Sequence, residues 1–231
     1  MDFMSSESFK QQEYLAEAYR IAHYQNGDPF VSTSHLAQHM HVSAPAVTRM
    51  VQRLKEAGYV EHEPYRGIKL TLAGEQEALQ NIRRHRIVER FLVDLMGFGW
   101  HEVHEAADSM SAATSDKVVA RMAAMLNFPQ RCPHGEPIPN AAGKMPEVKD
   151  SPLNMRHVGD PLVISRVNTH DASLLQYLAA MGIKPGVGLD LMEVAPFNGP
   201  LRVRINAQEQ FLGHEVGAVL RVCAPEHFAL A

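Results

Sequence analysis

The sequence predicts a mainly α-helical protein with a small β domain at its C-terminal end, on three observations. Up to about residue 126 the apolar side chains recur at helical spacing, interrupted by one short hairpin pattern. Residues 128–151 are rich in proline and glycine and lack either periodicity. Beyond Arg156 the pattern changes to short β-type runs separated by Gly and Pro turns. The expected domains are residues 1–74, 75–150 and 151–231.

Composition sets outer limits. The chain has 231 residues, 45% of them hydrophobic and 21% charged, enough for two or three small domains with modest cores. No run approaches the roughly 20 apolar residues that span a bilayer, and the opening MDFMSSESFK lacks the basic-then-apolar pattern of a secretory signal. A cytoplasmic protein without a membrane partner is therefore expected, and a disulfide between Cys132 and Cys223 is not. The net charge of −4 argues against coating nucleic acid by bulk electrostatics and leaves room only for a local basic face.

Taken in order, Phe9, Tyr14, Leu15, Ala18, Ile21 and Ala22 mark a first helix over 9–25, stopped by the turn signal Asn26-Gly-Asp-Pro29. Ser32 or Thr33 caps a short helix to about Met40, and Ser43 caps another, with Pro45 in its first turn, running to Ala57-Gly58. Two helices meeting at a tight corner read as a helix-turn-helix. The strand–turn–strand pattern 59–63, 64–67 and 68–72 then supplies a wing. Val47, Val51 and Leu54 pack inward, which leaves Ser43, Ala44, Pro45, Thr48, Arg49 and Gln52 pointing outward, as major-groove entry requires. Arg49, Arg53, Lys55, Arg66 and Lys69 are candidate phosphate contacts, with Tyr65 beside Arg66 at the wing tip.

A long helix from about Thr71 to Met96, a second over roughly 100–111 and a third over 117–126 follow. They are too few to bury all their apolar groups alone, so a second copy of the chain is expected to complete the core. Strands are expected at 162–167, 188–194, 201–205, 211–212 and 218–222, with helical turns over 171–181, making a small, partly open barrel.

The chemistry concentrates in Arg83 to Asp108. His85 with Glu89, and His104 with Asp108, stand four residues apart, so each pair lies on one helix face. The stripe Leu79, Ile82, His85, Glu89, Leu92, Met96 puts the first pair where core residues belong, and a buried carboxylate needs a partner. An ordinary ion pair of Glu89 with His85, Arg86 or Arg90 is the plain alternative. Against it stands Cys132-Pro-His134, a third segment offering soft and borderline metal donors.

SAPAVTRMVQRLKEAGYVEHEPYRGIKLTLAG, RRHRIVERFLVDLMGF with VHEAAD, and CPHGEPIP resemble the diphtheria-toxin-repressor family of metal-dependent transcriptional regulators, and the tyrosine-arginine-glycine wing its manganese-regulator branch. The resemblance spans essentially the whole chain. It implies an N-terminal winged helix, a helical dimerisation domain and a C-terminal barrel of the Src-homology-3 type, and a homodimer that represses metal uptake genes on a pseudo-palindromic duplex operator. Mn(II) is the cofactor expected first and Fe(II) second, with Zn or Co able to substitute in vitro. Position by position it implies that His85, Glu89 and His104, joined by Cys132, His134 and Asp171, form an ancillary metal site. It also implies that Glu13 and Asp108 belong to a primary site, whose remaining glutamate and histidine are here Ser111 and Ala112. Two readings compete with this one. They are a winged-helix regulator answering to a small organic ligand, and a metal-dependent hydrolase, for which the sequence offers no separate nucleophile or oxyanion site.

Overall fold

In the computed structural model, residues 6–24 and 28–230 are described, and they divide into two compact units. The first draws on Met1–His85, Ser111–Asp116 and Pro139–Lys144, the second on Arg86–Met110, Lys117–Ile138 and Met145–Ala231.

The first unit holds α1 (Ser6–Tyr24), α2 (Thr33–His39), α3 (Ala44–Glu56), the hairpin β1 (Val60–Glu63) and β2 (Gly67–Leu70), and the start of α4 (Leu72–Met96). Local chemistry sets these boundaries. Ser32 Oγ accepts the His35 amide at 3.1 Å and starts α2. Ser43 precedes α3 without a side-chain cap, and the proline in the first turn supplies the preset φ instead. Thr71, expected in the second strand, ends the hairpin because its hydroxyl accepts the Gly74 amide at 3.2 Å and so opens α4. Leu15, Ala18 and Ile21 of α1 pack with Leu36, Val47, Val51, Leu54 and Ile68 in one core, which also takes Ala78 of α4. Gly67 closes the wing at φ +110, and a Cβ there would meet the Val31 carbonyl oxygen at 2.1 Å. That proximity lets Val31 and Ile68 exchange backbone hydrogen bonds at 2.7 and 2.9 Å, adding a bridge beside the hairpin.

In the second unit α4 continues, followed by α5 (Val103–Ala113) and α6 (Asp116–Met125), whose adjoining ends belong to the first unit. Ile87, Val88, Leu92, Val103, Ala107, Val119 and Met122 make their common core. Leu95, Met96, Val118, Met125 and Phe128 stay exposed, the apolar excess expected of these helices.

The β domain is one antiparallel sheet in the order β3-β8-β4-β5-β6-β7, formed by β3 (Ser151–Pro152), β4 (Pro161–Val167), β5 (Gly188–Val194), β6 (Leu201–Ile205), β7 (Gln208–Leu212) and β8 (Leu220–Cys223). Bulges between Ile164 and Arg166 and between Leu191 and Glu193 bend it toward closure. α7 (Ala172–Ala180) buries Leu175 and Leu178 against Ile164, Leu191 and Val222. One expected strand is corrected: 218–219 belong to a short helix, α8 (His214–Val219), and the strand starts at Leu220. The β-branched Val216 and Val219 give that helix a strand-like composition, and in it only Gly217 is buried. Among the described residues no helix is long and apolar enough to cross a membrane.

Candidate metal centre and nucleic-acid face

Glu89 sits on α4 with its side chain 2% exposed. Its two neighbouring arginines are committed elsewhere: Arg86 donates to the Pro137 carbonyl and pairs with Glu136, and Arg90 pairs with Asp94 at 2.7 Å. What faces the Glu89 carboxylate is imidazole, with Oε1 3.4 Å from His104 Nδ1 and 3.5 Å from His134 Nδ1. Glu89, Cys132 and His134, all buried, offer ligand atoms within 4.8 Å of one another, and His85, one turn back on α4, forms such a group with Glu89 and His104. The two groups share the Glu89 carboxylate. Their donors are imidazole nitrogens, a carboxylate and a thiol, a mixed set that suits Mn, Fe, Co or Zn.

The loop carrying Cys132 and His134 is shaped by its own backbone hydrogen bonds. The Cys132 amide donates to the Glu136 carbonyl and the Gly135 amide to the Cys132 carbonyl, both at 2.9 Å, closing a tight turn. Gly135 is obligatory at its apex, with φ +88 and the Ser165 carbonyl oxygen 2.2 Å from where a Cβ would stand. Strand β4 holds the turn from the other side: the Val167 amide donates to the His134 carbonyl at 2.9 Å, and Arg166 pairs with Glu136 at 3.2 Å. Arg166 and Arg221 also converge on Asp150, each at 2.7 Å.

His134 Nε2 lies 2.8 Å from the Trp100 carbonyl oxygen. A carbonyl only accepts, so Nε2 carries a proton, and Nδ1, turned toward Glu89 and Cys132, is the nitrogen available to an ion. Burial, and after it the Glu89 charge, pushes the Cys132 thiol up. As a ligand Cys132 would have to give up that proton, and a bound cation would offset the cost. The residues present fit a divalent ion on these observations.

The other predicted ligands are placed differently. Asp171 is exposed, and its Oδ1 accepts the Leu174 amide at 2.9 Å as the N-cap of α7. Its predecessor His170 is the residue beside the pocket, stacked on His104 at 4.2 Å between ring centroids. The sequence reading missed His170 and Trp100. A histidine adjoining the expected Asp171 was the one available signal for the former, and nothing marks a main-chain acceptor such as Trp100. Asp108 is exposed, with Oδ2 3.7 Å from His104 Nε2. Among the described residues neither metal-competent group includes Glu13 or Asp108. Ser111 is buried with a neutral hydroxyl, and Ala112 carries no donor, so the residues at the primary positions do not fit an ion.

On α3, Val47, Met50, Val51 and Leu54 are buried, while Ser43, Ala44, Pro45, Thr48, Arg49, Gln52 and Arg53 are exposed on one face with Tyr65 and Arg66 of the wing also exposed. Thr48 donates back to the Ala44 carbonyl and Gln52 to Glu56. Arg66 is braced by Glu63 at 2.9 Å and lies 3.8 Å over the Phe30 ring, which orients it within the wing.

Comparison with known proteins matches three consecutive family models. They are the iron-dependent repressor N-terminal DNA-binding domain over residues 8–68, the iron-dependent repressor metal-binding and dimerisation domain over 71–140, and the FeoA domain over 151–222. The iron-dependent repressor IdeR of Mycobacterium tuberculosis is 29% identical over 199 residues, covering 81% of this chain and 86% of its own. An HTH-type transcriptional regulator of Methanocaldococcus jannaschii is 33% identical over 48% of this chain and 87% of its own. Among solved structures, a manganese-dependent transcriptional repressor in complex with manganese superimposes with a TM-score of 0.85 at 34% identity, covering 93% of this chain and 99% of that one. ScaR with bound zinc superimposes with a TM-score of 0.75 at 27% identity, covering 93% of this chain and 99% of that one.

Proposed function

The chain belongs to the iron-dependent repressor family of metal-dependent transcriptional regulators, and from that premise we propose that it is a homodimeric, Mn(II)-dependent repressor of metal uptake genes, with Fe(II) as the second candidate. The observation that carries this reading is the buried Glu89–Cys132–His134 cluster, three metal-competent donors within 4.8 Å of one another, in a unit that also exposes large apolar side chains. His85, Glu89, His104, Cys132 and His134 are its ligands, with His170 rather than Asp171 next to the pocket. A divalent ion held there would add positive charge beside the Glu89 carboxylate and stabilise a Cys132 thiolate. Glu89 orients His104 and His134. The loop 131–137 fixes the distance between them.

Three domains belong to this reading, with junctions near residues 74 and 150. Exposed Leu95, Met96, Val118, Met125 and Phe128 form the dimer contact. Two-fold symmetry then requires a pseudo-palindromic operator with half-sites separated by whole helical turns. Ser43, Ala44, Pro45, Thr48 and Gln52 read bases, while Arg49, Arg53, Arg66 and Tyr65 hold the backbone. The protein acts in the cytoplasm and is not an enzyme.

Metal analysis of protein purified without chelator, followed by DNA-shift measurements in EDTA, Mn(II) and Fe(II), tests the reading. Retention only with metal is the expected result. Equal DNA binding in EDTA would redirect attention to a cavity of about 300 Å³ lined by Tyr19, His23, Val31, Lys69, Glu75 and Leu79, where an organic effector has room.

A further inference from the structure

Of the positions where the resemblance asks for a second metal ion, Ser111 and Ala112 supply no ligand, while α1 and the start of α6 are joined through a buried cation. Arg84, on α4 with its side chain 4% exposed, donates from Nη1 to Gln12 Oε1 at 3.0 Å and from Nη2 to Asp116 Oδ1 at 2.9 Å. Gln12, on α1 and itself buried, donates from Nε2 to Glu77 Oε2 at 2.8 Å. One guanidinium thus holds α1 of the winged helix, α4 and the first residue of α6, all within the first unit.

The chemistry is that of a permanent ion. A guanidinium stays charged at every physiological pH, and its planar fork reaches two acceptors at fixed angles, which a lysine ammonium cannot do. A buried cation without such partners is costly, so its two contacts are obligatory in the folded state. On the side of α1 facing this cation stands Gln12, a neutral amide that accepts from Arg84 and donates to Glu77.

We propose that Arg84 is a positioning residue that fixes α1 against α4 and the α5–α6 corner in place of a second metal ion, leaving one metal site per protomer to switch DNA binding. This rests on the repressor reading above. In its test, the full-length dimer is titrated with Mn(II) and bound metal counted by mass spectrometry. One ion per protomer is expected, and a second tight ion overturns the proposal. Arg84→Met, which keeps most of the stem and removes the charge, is expected to weaken DNA binding at saturating Mn(II) by about tenfold or more, the loss that goes with a charge-assisted hydrogen bond. The Mn(II) midpoint should stay at the wild-type value, and Arg84→Lys should recover part of the DNA affinity. Asp116, whose side chain is 80% exposed, gives a second variant with little risk to folding, and Asp116→Asn should lose DNA affinity in the same direction. Wild-type DNA affinity in both variants overturns the proposal, as does a Mn(II) midpoint displaced in parallel with the DNA loss. Wild-type protein that binds DNA equally in EDTA would instead sink the repressor reading itself, so the two failures are distinguishable.

Discussion

Replacing Cys132 by alanine separates a metal ligand from a core thiol, because a second buried cysteine serves as control. Cys132 and Cys223 are each 2% exposed, and neither forms a disulfide. Deleting either sulfur removes a small buried volume and should cost about 1 kcal/mol in EDTA, or roughly 2–4 °C of melting temperature for a chain of this size. Metal separates the two. An ion bound only by the folded form adds about 2.7 kcal/mol at a hundredfold excess over its Kd, raising the wild-type melting temperature by roughly 5–11 °C. Losing a ligand from a preformed site should weaken binding by at least about ten- to a hundredfold, leaving about 1.4 to 0.4 kcal/mol at the same Mn(II) concentration. Melting curves followed by circular dichroism, in EDTA and in excess Mn(II), should therefore show a shift cut by half or more for Cys132→Ala and a wild-type shift for Cys223→Ala. Equal shifts in the two variants would refute the assignment of Cys132 to the pocket.

Four further outcomes follow from the structure. Glu89→Gln should abolish Mn(II)-dependent DNA retention, whereas Glu13→Gln, whose residue lies outside both metal-competent groups, should affect it less; the reverse order at saturating Mn(II) would restore a role to the primary positions. Arg49→Ala, on the exposed face of α3, should weaken operator binding, and a uniform loss across sequences with a shallower salt slope identifies a phosphate contact. Phe128→Asp should shift the protein toward monomer in sedimentation velocity, since Phe128 is 67% exposed on the apolar strip; an unchanged dimer would place the interface elsewhere. Burial alone would raise the Asp150 carboxyl, but hydrogen bonds and charge from Arg166 and Arg221 outweigh it and hold the group below the usual carboxylate range. Its contribution is then fully present above about pH 4 and is lost as pH falls through the depressed folded value. Asp150→Asn should accordingly be much less stable than wild type at pH 7 and converge on it in acid, and a pH-independent difference would contradict the ion-pair account.

What could be read from the sequence is what local chemistry decides. Ser32 and Thr71 start helices because a hydroxyl satisfies an amide a few residues on, whatever the surroundings. His85 and Glu89 were legible as a pair because the helical period alone puts them on one buried face. The same locality bears on Asp171: its carboxylate serves as the N-cap of α7, a role its position directly before a helix equally permits, and the neighbouring His170 stands against His104. Arg84 and Trp100 were illegible for the opposite reason. Each acts through partners far along the chain, Arg84 through Gln12 and Asp116 and Trp100 through the His134 ring, and no periodicity encodes such meetings.

The loop 131–137 shows how the two kinds of information combine. Its composition announces donors, but their aim depends on Gly135 passing against the Ser165 carbonyl, on the Val167 amide gripping the His134 carbonyl, and on the Trp100 carbonyl fixing the His134 tautomer. Each constraint is a contact of the chain with itself, and donors held by such contacts leave little ordering cost for binding. Preorganisation also decides selectivity. A relaxed site with a thiolate would favour zinc over manganese, and only a site whose donors are held in place can use geometry against that order. Glu136 sits where this control is exerted, pairing with Arg86 of α4 on one side and Arg166 of β4 on the other. Loosening it should therefore cost discrimination between manganese and zinc before it costs binding.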